Sequence, residues 1–112
     1  MSEHVLDLST RYIDSGRADG PPNRISHDLS ELEDNVALIE AFSHMLVVNT
    51  DEGLVAFDSS GPASGQRVIE SLRRWDRSPI HTLIYTHGHI DHIGGSSAIA
   101  EEALRVAESC QK

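Results

Sequence analysis

The spacing of apolar residues changes at about residue 30, and that change sets the expected architecture. Positions 1–30 are mostly polar and are interrupted by DSGRADGPPNR, where Gly20-Pro21-Pro22-Asn23 stops regular structure. This segment reads as an N-terminal arm over the surface, with room for a short strand. From Asn35 onward, NVALIEAF and HMLVVNT are apolar runs of strand length, and LVAFD follows the turn residues Asp51-Glu52-Gly53. They predict an antiparallel meander whose second hairpin turns at Gly53, a residue free to take positive φ.

After SSGPASG the period lengthens. Val68, Ile69, Leu72 and Trp75 fall on one face of a helix, which RSP ends because Pro79 disfavours the α region at Ser78. IHTLIYT reads as a further strand, with Ile80, Leu83, Ile84 and Tyr85 apolar. Beyond Gly94-Gly95, SSAIAEEALRVAESC predicts a second helix, capped by Ser96 or Ser97 and carrying Ile99, Ala103 and Val106 on one face. The expected fold class is α/β, with a mixed, mostly antiparallel sheet and two helices. The arm occupies residues 1–30 and one domain the remainder, residues 31–112.

Composition narrows the function classes. A chain of 112 residues has room for one domain, and 4% aromatic content makes its core mainly aliphatic. The formal charge of −9 and scattered basic residues argue against a nucleic-acid surface, which needs clustered Lys and Arg. Cys110 is the only cysteine, so no internal disulfide forms, which fits a reducing compartment. The N-terminus shows no secretory signal pattern, and no apolar run approaches the ~20 residues of a membrane helix. A cytoplasmic protein without membrane or nucleic-acid partners is expected.

The chemistry concentrates in THGHIDHIGG, residues 86–95, where His87, His89, Asp91 and His92 stand just after a strand. Imidazole and carboxylate suit zinc, and also iron or manganese. If His87 and His89 continue the strand, a period of two puts both side chains on one side, where they can share an ion. Asp91 and His92 follow where the chain turns, and can serve a second position. Glycines at 88, 94 and 95 are expected to permit close approach and an abrupt turn. His4, His27, His44 and His81 are isolated and read as surface or packing residues. Asp58, at the end of LVAFD, reads from its position as a turn or helix-cap residue.

The ordered pattern H-x-H-x-D-H, preceded by Thr86 and followed by Gly94-Gly95, resembles the signature of the metallo-β-lactamase superfamily. The upstream HMLVVNTDEGLVAFDSSGPASGQRVIESLRRW is similar to that family's opening strands, and the likeness extends more loosely to alkyl sulfatases. The resemblance implies a four-layer αββα sandwich of two similar halves. It assigns His87 and His89 to a first zinc, and Asp91 and His92 to a second. Asp91 would orient the bridging hydroxide, and Asp58 would support the ligand loop from behind. In the family a further His, a bridging Asp and a last His come from loops after the motif's helix. The chain is therefore expected to represent the N-terminal half of the sandwich.

The function so implied is a metal-dependent hydrolase, whose metal-bound hydroxide attacks an ester-, lactone-, thioester-, lactam- or sulfate-like bond of an unidentified small molecule. Two alternatives stand beside it. One is a non-catalytic metal- or partner-binding half-domain. The other is a mononuclear iron dioxygenase of the same fold; the family's di-iron branch usually carries Glu where His89 stands. A lone half would also expose one sheet face, expected to include Leu46, Val48, Leu54 and Ala56, so a homo-oligomer or a missing C-terminal half is anticipated as partner.

Overall fold

The computed structural model describes residues 3–21 and 23–110, so Pro22 of the expected turn and the last two residues lie outside it. Five strands form one open sheet: β1 (Leu29–Glu33), β2 (Val36–Ile39), β3 (Met45–Thr50), β4 (Gly53–Phe57) and β5 (Ile80–Ile84). They lie side by side in chain order. The first four pair antiparallel, while β5 runs parallel to β4. The helices are α1 (Val5–Ser15), α2 (Gly65–Trp75), the single turn α3 (Ile90–Ile93) and α4 (Ser96–Cys110). The β3–β4 hairpin turns at Gly53 as expected: its φ is 126°, and a Cβ there would lie 2.7 Å from the Pro79 carbonyl oxygen.

Three elements depart from the expected order: α1, β1, and the single turn α3, which forms within the expected ligand loop. The arm contains α1, in which Val5, Leu8 and Tyr12 recur at helical spacing. His4 starts this helix by accepting the Leu6 N–H through Nδ1, and Gly16 ends it with φ 69°. β1 begins inside the arm as an edge strand on β2, interrupted by an irregularity between Glu31 and Glu33. Its sequence, LSELE, alternates too weakly to announce itself.

The sheet has two unlike faces because side chains alternate along each strand. Ala37, Ile39, Met45, Val47, Leu54 and Ala56 are fully buried and form the core with Val68, Ile69 and Leu72 of α2 and Ile99 of α4. On the other face the register aligns Leu38, Leu46, Phe57 and Ile84, and beside them Val36, Val48 and Val55. These residues stay partly exposed. The expectation that Leu46, Val48, Leu54 and Ala56 share one face is thus corrected: Leu54 and Ala56 lie under the helices. A one-residue difference in register sends a side chain to the opposite face.

α2 and α4 pack closely because Gly65 has no side chain. A Cβ there would lie 2.9 Å from Gly95 Cα and 3.2 Å from Ala98 Cβ. The contact is locked by a two-pronged ion pair, Arg73 Nε to Glu102 Oε2 at 2.8 Å and Nη2 to Oε1 at 2.6 Å. The inward face of α4 thus includes Ile99 and Glu102, whereas Ala103 is exposed. Among the described residues no helix is long and apolar enough to cross a membrane.

Candidate metal centre

Three connections meet at one end of the sheet: residues 40–44 between β2 and β3, 58–64 between β4 and α2, and 85–89 between β5 and α3. This is the carboxyl end of the parallel pair β4–β5, where α/β sheets commonly build their sites. All four residues of the H-x-H-x-D-H pattern lie here.

Asp58 organises the second of these connections. Its φ of 67° turns the chain sharply out of β4, while its N–H still donates to Ile84 O at 2.7 Å. The residue is 5% exposed. Oδ1 accepts the Thr86 N–H at 2.8 Å, and Oδ2 accepts the Thr86 hydroxyl at 2.7 Å and faces His92 Nδ1 at 2.8 Å. Burial alone pushes the Asp58 carboxyl upward, but the Thr86 N–H, His92 and the Thr86 hydroxyl overcome it and hold it below the usual carboxylate range. An ionised carboxylate only accepts, so the network assigns the His92 proton to Nδ1 and leaves Nε2 as the open nitrogen.

The ligand loop is clamped from behind. Ser59 donates to His92 O through its N–H at 2.8 Å and its hydroxyl at 3.1 Å, and Gly95 N–H donates to Ser60 O at 3.1 Å. Gly94 and Gly95 are required by contact: added Cβ atoms would lie 2.3 Å from Pro62 Cδ and 2.0 Å from Ser59 O. Gly88 corrects the expectation for that position, since a Cβ there meets nothing within 4 Å.

The histidines converge. The His87 and His89 rings meet edge-on at 4.6 Å between centroids, and His87 and His92 are 4.0 Å apart. Asp91 Oδ2 lies 3.5 Å from His92 Nε2. The Ser43 hydroxyl donates to Asp91 Oδ2 at 2.6 Å and holds the Asp91 carboxyl below its ordinary range, with the neighbouring His92 and His89 acting the same way. Among the described residues no group of three or more His, Cys, Asp or Glu side chains is arranged to hold one ion. The donor chemistry nonetheless fits zinc, because the Asp58 contact orients an imidazole with its second nitrogen open.

Sequence reasoning missed Ser43, which lies in the β2–β3 connection far from the motif. Its only advance signal is a hydroxyl in a loop at a strand end. The other histidines have local partners. His4 caps α1, His27 Nε2 meets Ser64 Oγ at 3.0 Å, His44 Nδ1 accepts the Ala41 N–H at 3.2 Å, and His81 Nδ1 meets Thr82 Oγ1 at 2.7 Å. A cavity of about 400 Å³ lies between β1 and α2, lined by Leu29, Ser30, Ser71 and Trp75 among others, and does not include the motif.

Residues 38–103 match the family described as the metallo-beta-lactamase superfamily. The chain is 37% identical over 63 residues to the 2,4-dinitroanisole O-demethylase subunit alpha of Nocardioides sp. (strain JS1661), covering 54% of this chain and 19% of that protein. It is 32% identical over 83 residues to an alkyl/aryl-sulfatase of Saccharomyces cerevisiae, covering 69% of this chain and 12% of that protein. Among solved structures, a subclass B3 metallo-beta-lactamase of Bradyrhizobium japonicum superposes with a TM-score of 0.61 at 25% identity, covering 68% of this chain and 30% of that one. The chain thus spans less than a third of the length of each of these proteins.

Proposed function

Because the chain belongs to the metallo-β-lactamase superfamily, we propose that it supplies the first metal-ligand loop of a metal-dependent hydrolase. One observation carries this reading: His92 has its Nδ1 committed to buried Asp58 at 2.8 Å while its ring lies 4.0 Å from that of His87. His87, His89, Asp91 and His92 would hold the metal. Bound zinc would supply Lewis acidity and lower the pKa of a water to ~7.

The chain's own residues prepare that chemistry. Asp58 fixes the His92 tautomer and, through Thr86, the start of the ligand loop. Asp91 stays ionised and presents a negative oxygen beside the open nitrogen of His92. Glycines 94 and 95 let α3 and α4 pack onto the β4–α2 connection, which keeps the loop from drifting. The names of the relatives, a sulfatase and a lactamase among them, support hydrolysis of an ester-, sulfate- or amide-like bond.

A catalytic zinc usually takes three protein ligands, so we assign capture of metal to this loop and completion of its shell to donors elsewhere. Those donors would come from further chain or from a second copy, docked on the half-exposed face around Leu46, Val48, Val55 and Phe57. Light scattering should then detect self-association of the chain on its own; a monomer at high concentration would count against the docking face.

Calorimetric titration of the full chain with zinc tests the metal reading. Weak binding should appear and should vanish in the His87→Ala, His89→Ala double variant; unchanged binding in that variant overturns the ligand assignment. Assays with zinc, iron or manganese against ester, lactone, thioester, β-lactam and alkyl sulfate substrates should show little turnover by the chain alone. Turnover that saturates with metal and is lost in Asp91→Ala would show that this loop suffices.

A further inference from the structure

We propose that Ser43, outside the ligand-rich motif, is a positioning residue that sets both donor atoms of the Asp91–His92 pair. The inference deepens the metal-centre reading and rests on it for its functional meaning. Ser43 is 6% exposed and lies in the connection from β2 to β3. That connection is itself held in place. His44 Nδ1 accepts the Ala41 N–H at 3.2 Å, and Asn23 Nδ2 donates to Phe42 O at 2.9 Å. The hydroxyl therefore presents itself from a fixed backbone.

Ser43 Oγ has two neighbours, Asp91 Oδ2 at 2.6 Å and His92 Nε2 at 3.2 Å, and one proton to give. The carboxylate is the closer acceptor and, being charged, the stronger one. The proton goes to Asp91. His92 Nδ1 faces Asp58 Oδ2 at 2.8 Å, so Ser43 and Asp58 reach opposite nitrogens of the ring. Ser43 thus touches both members of the pair at once. It fixes the Asp91 carboxylate 3.5 Å from His92 Nε2. It also stands against that nitrogen, which keeps the two donor atoms turned toward one point.

The test compares the wild-type chain with Ser43→Ala and Ser43→Thr, and has a readout that requires no metal. Three-bond couplings to Asp91 Cγ report whether its χ1 occupies one rotamer. A single rotamer is expected in the wild type and in Ser43→Thr, and an averaged one in Ser43→Ala. Titration with cobalt, followed by its visible spectrum, should show at least a ~10-fold loss of affinity in Ser43→Ala, the range for lost support of a metal ligand. Ser43→Thr should recover most of it because it keeps the hydroxyl. A single Asp91 rotamer in Ser43→Ala overturns the proposal, as does Ser43→Thr behaving like Ser43→Ala. Cobalt affinity in Ser43→Ala within twofold of wild type overturns it as well. If the wild-type chain takes up no cobalt, the metal-centre reading fails, and the couplings alone then decide whether Ser43 positions Asp91.

Discussion

Replacing Asp58 with Asn isolates the charge of one carboxylate with little change in shape. Asn tolerates the left-handed backbone that Asp58 adopts at φ 67°, so the substitution adds no strain. Of three hydrogen bonds, the Asn oxygen can keep the one from the Thr86 N–H. The amide nitrogen then stands where Oδ2 accepted the Thr86 hydroxyl and the His92 Nδ1 proton. The Thr86 hydroxyl can rotate and accept instead. His92 must give up its Nδ1 proton or leave two donors facing each other. The net loss is about one charge-assisted hydrogen bond, ~1.5–3 kcal/mol, partly offset because a neutral amide is easier to bury. Urea unfolding at pH 7 should show a loss of ~2 kcal/mol. Long-range proton–nitrogen spectra should show the His92 proton moving from Nδ1 toward Nε2. The native Asp58 carboxyl is held below its unfolded value of ~3.9. Its contribution is therefore complete above that value and is lost as pH falls through the lower native one, so the gap between variant and wild type should close in that acid range. A stability change below ~0.5 kcal/mol with the His92 proton still on Nδ1 would refute the account of Asp58 as the group that sets the tautomer.

Three further outcomes follow from other contacts. Arg24 makes a two-pronged pair with Glu40, which is 2% exposed, through Nε at 2.8 Å and Nη2 at 2.5 Å. Arg24→Met should destabilise by ~3–5 kcal/mol, and the double change with Glu40→Leu should restore most of it, because a buried charge is then no longer left unpaired; equal unfolding midpoints for the single and double variants would contradict this. Gly95→Ala should cost at least ~3 kcal/mol through its collision with Ser59 O, whereas Gly88→Ala, in open space, should be neutral or stabilising by ~0.5 kcal/mol in the same measurement. Burial of His27, aided by the Arg67 charge, lowers its pKa, so stability is full above the unfolded value of ~6.5 and declines as pH falls through the native value. The His27→Asn variant should flatten that decline between pH 7.5 and pH 5.5, and an unchanged slope would show that His27 does not carry it.

The strands of the meander and the face of α2 were legible because their apolar periods are long and uninterrupted. Val68, Ile69, Leu72 and Trp75 all point as their spacing implies. α1 was hidden by composition rather than by pattern. Its apolar positions are separated by Asp, Ser, Thr and Arg, and the stop signal at Gly16 merges with the polar run that follows. The sheet face was misassigned because mixing Leu46 and Val48 with Leu54 and Ala56 requires knowing the pairing across the β3–β4 turn. That pairing sets Leu46 opposite Phe57 and Leu54 opposite Asn49, and neither strand reveals it alone. The ligand-rich loop could be read as chemistry because its donors are adjacent in sequence. Ser43 could not, because its relation to Asp91 spans 48 residues and exists only through the fold.

That separation bears on how the site is built. The motif supplies the donors, but their orientation comes from two other connections: Asp58 on one side of His92 and Ser43 on the other. Each reaches a different ring nitrogen, so together they confine the imidazole at both ends. Such an arrangement needs the β2–β3 and β4–α2 connections to open at the same end of the sheet. The antiparallel pairing of β3 with β4 ensures it, because Met45 begins β3 where Phe57 ends β4. A parallel arrangement of those strands would carry Ser43 to the far end of the sheet. The meander therefore does more than enclose a core: its strand directions bring the hydroxyl within reach of the motif.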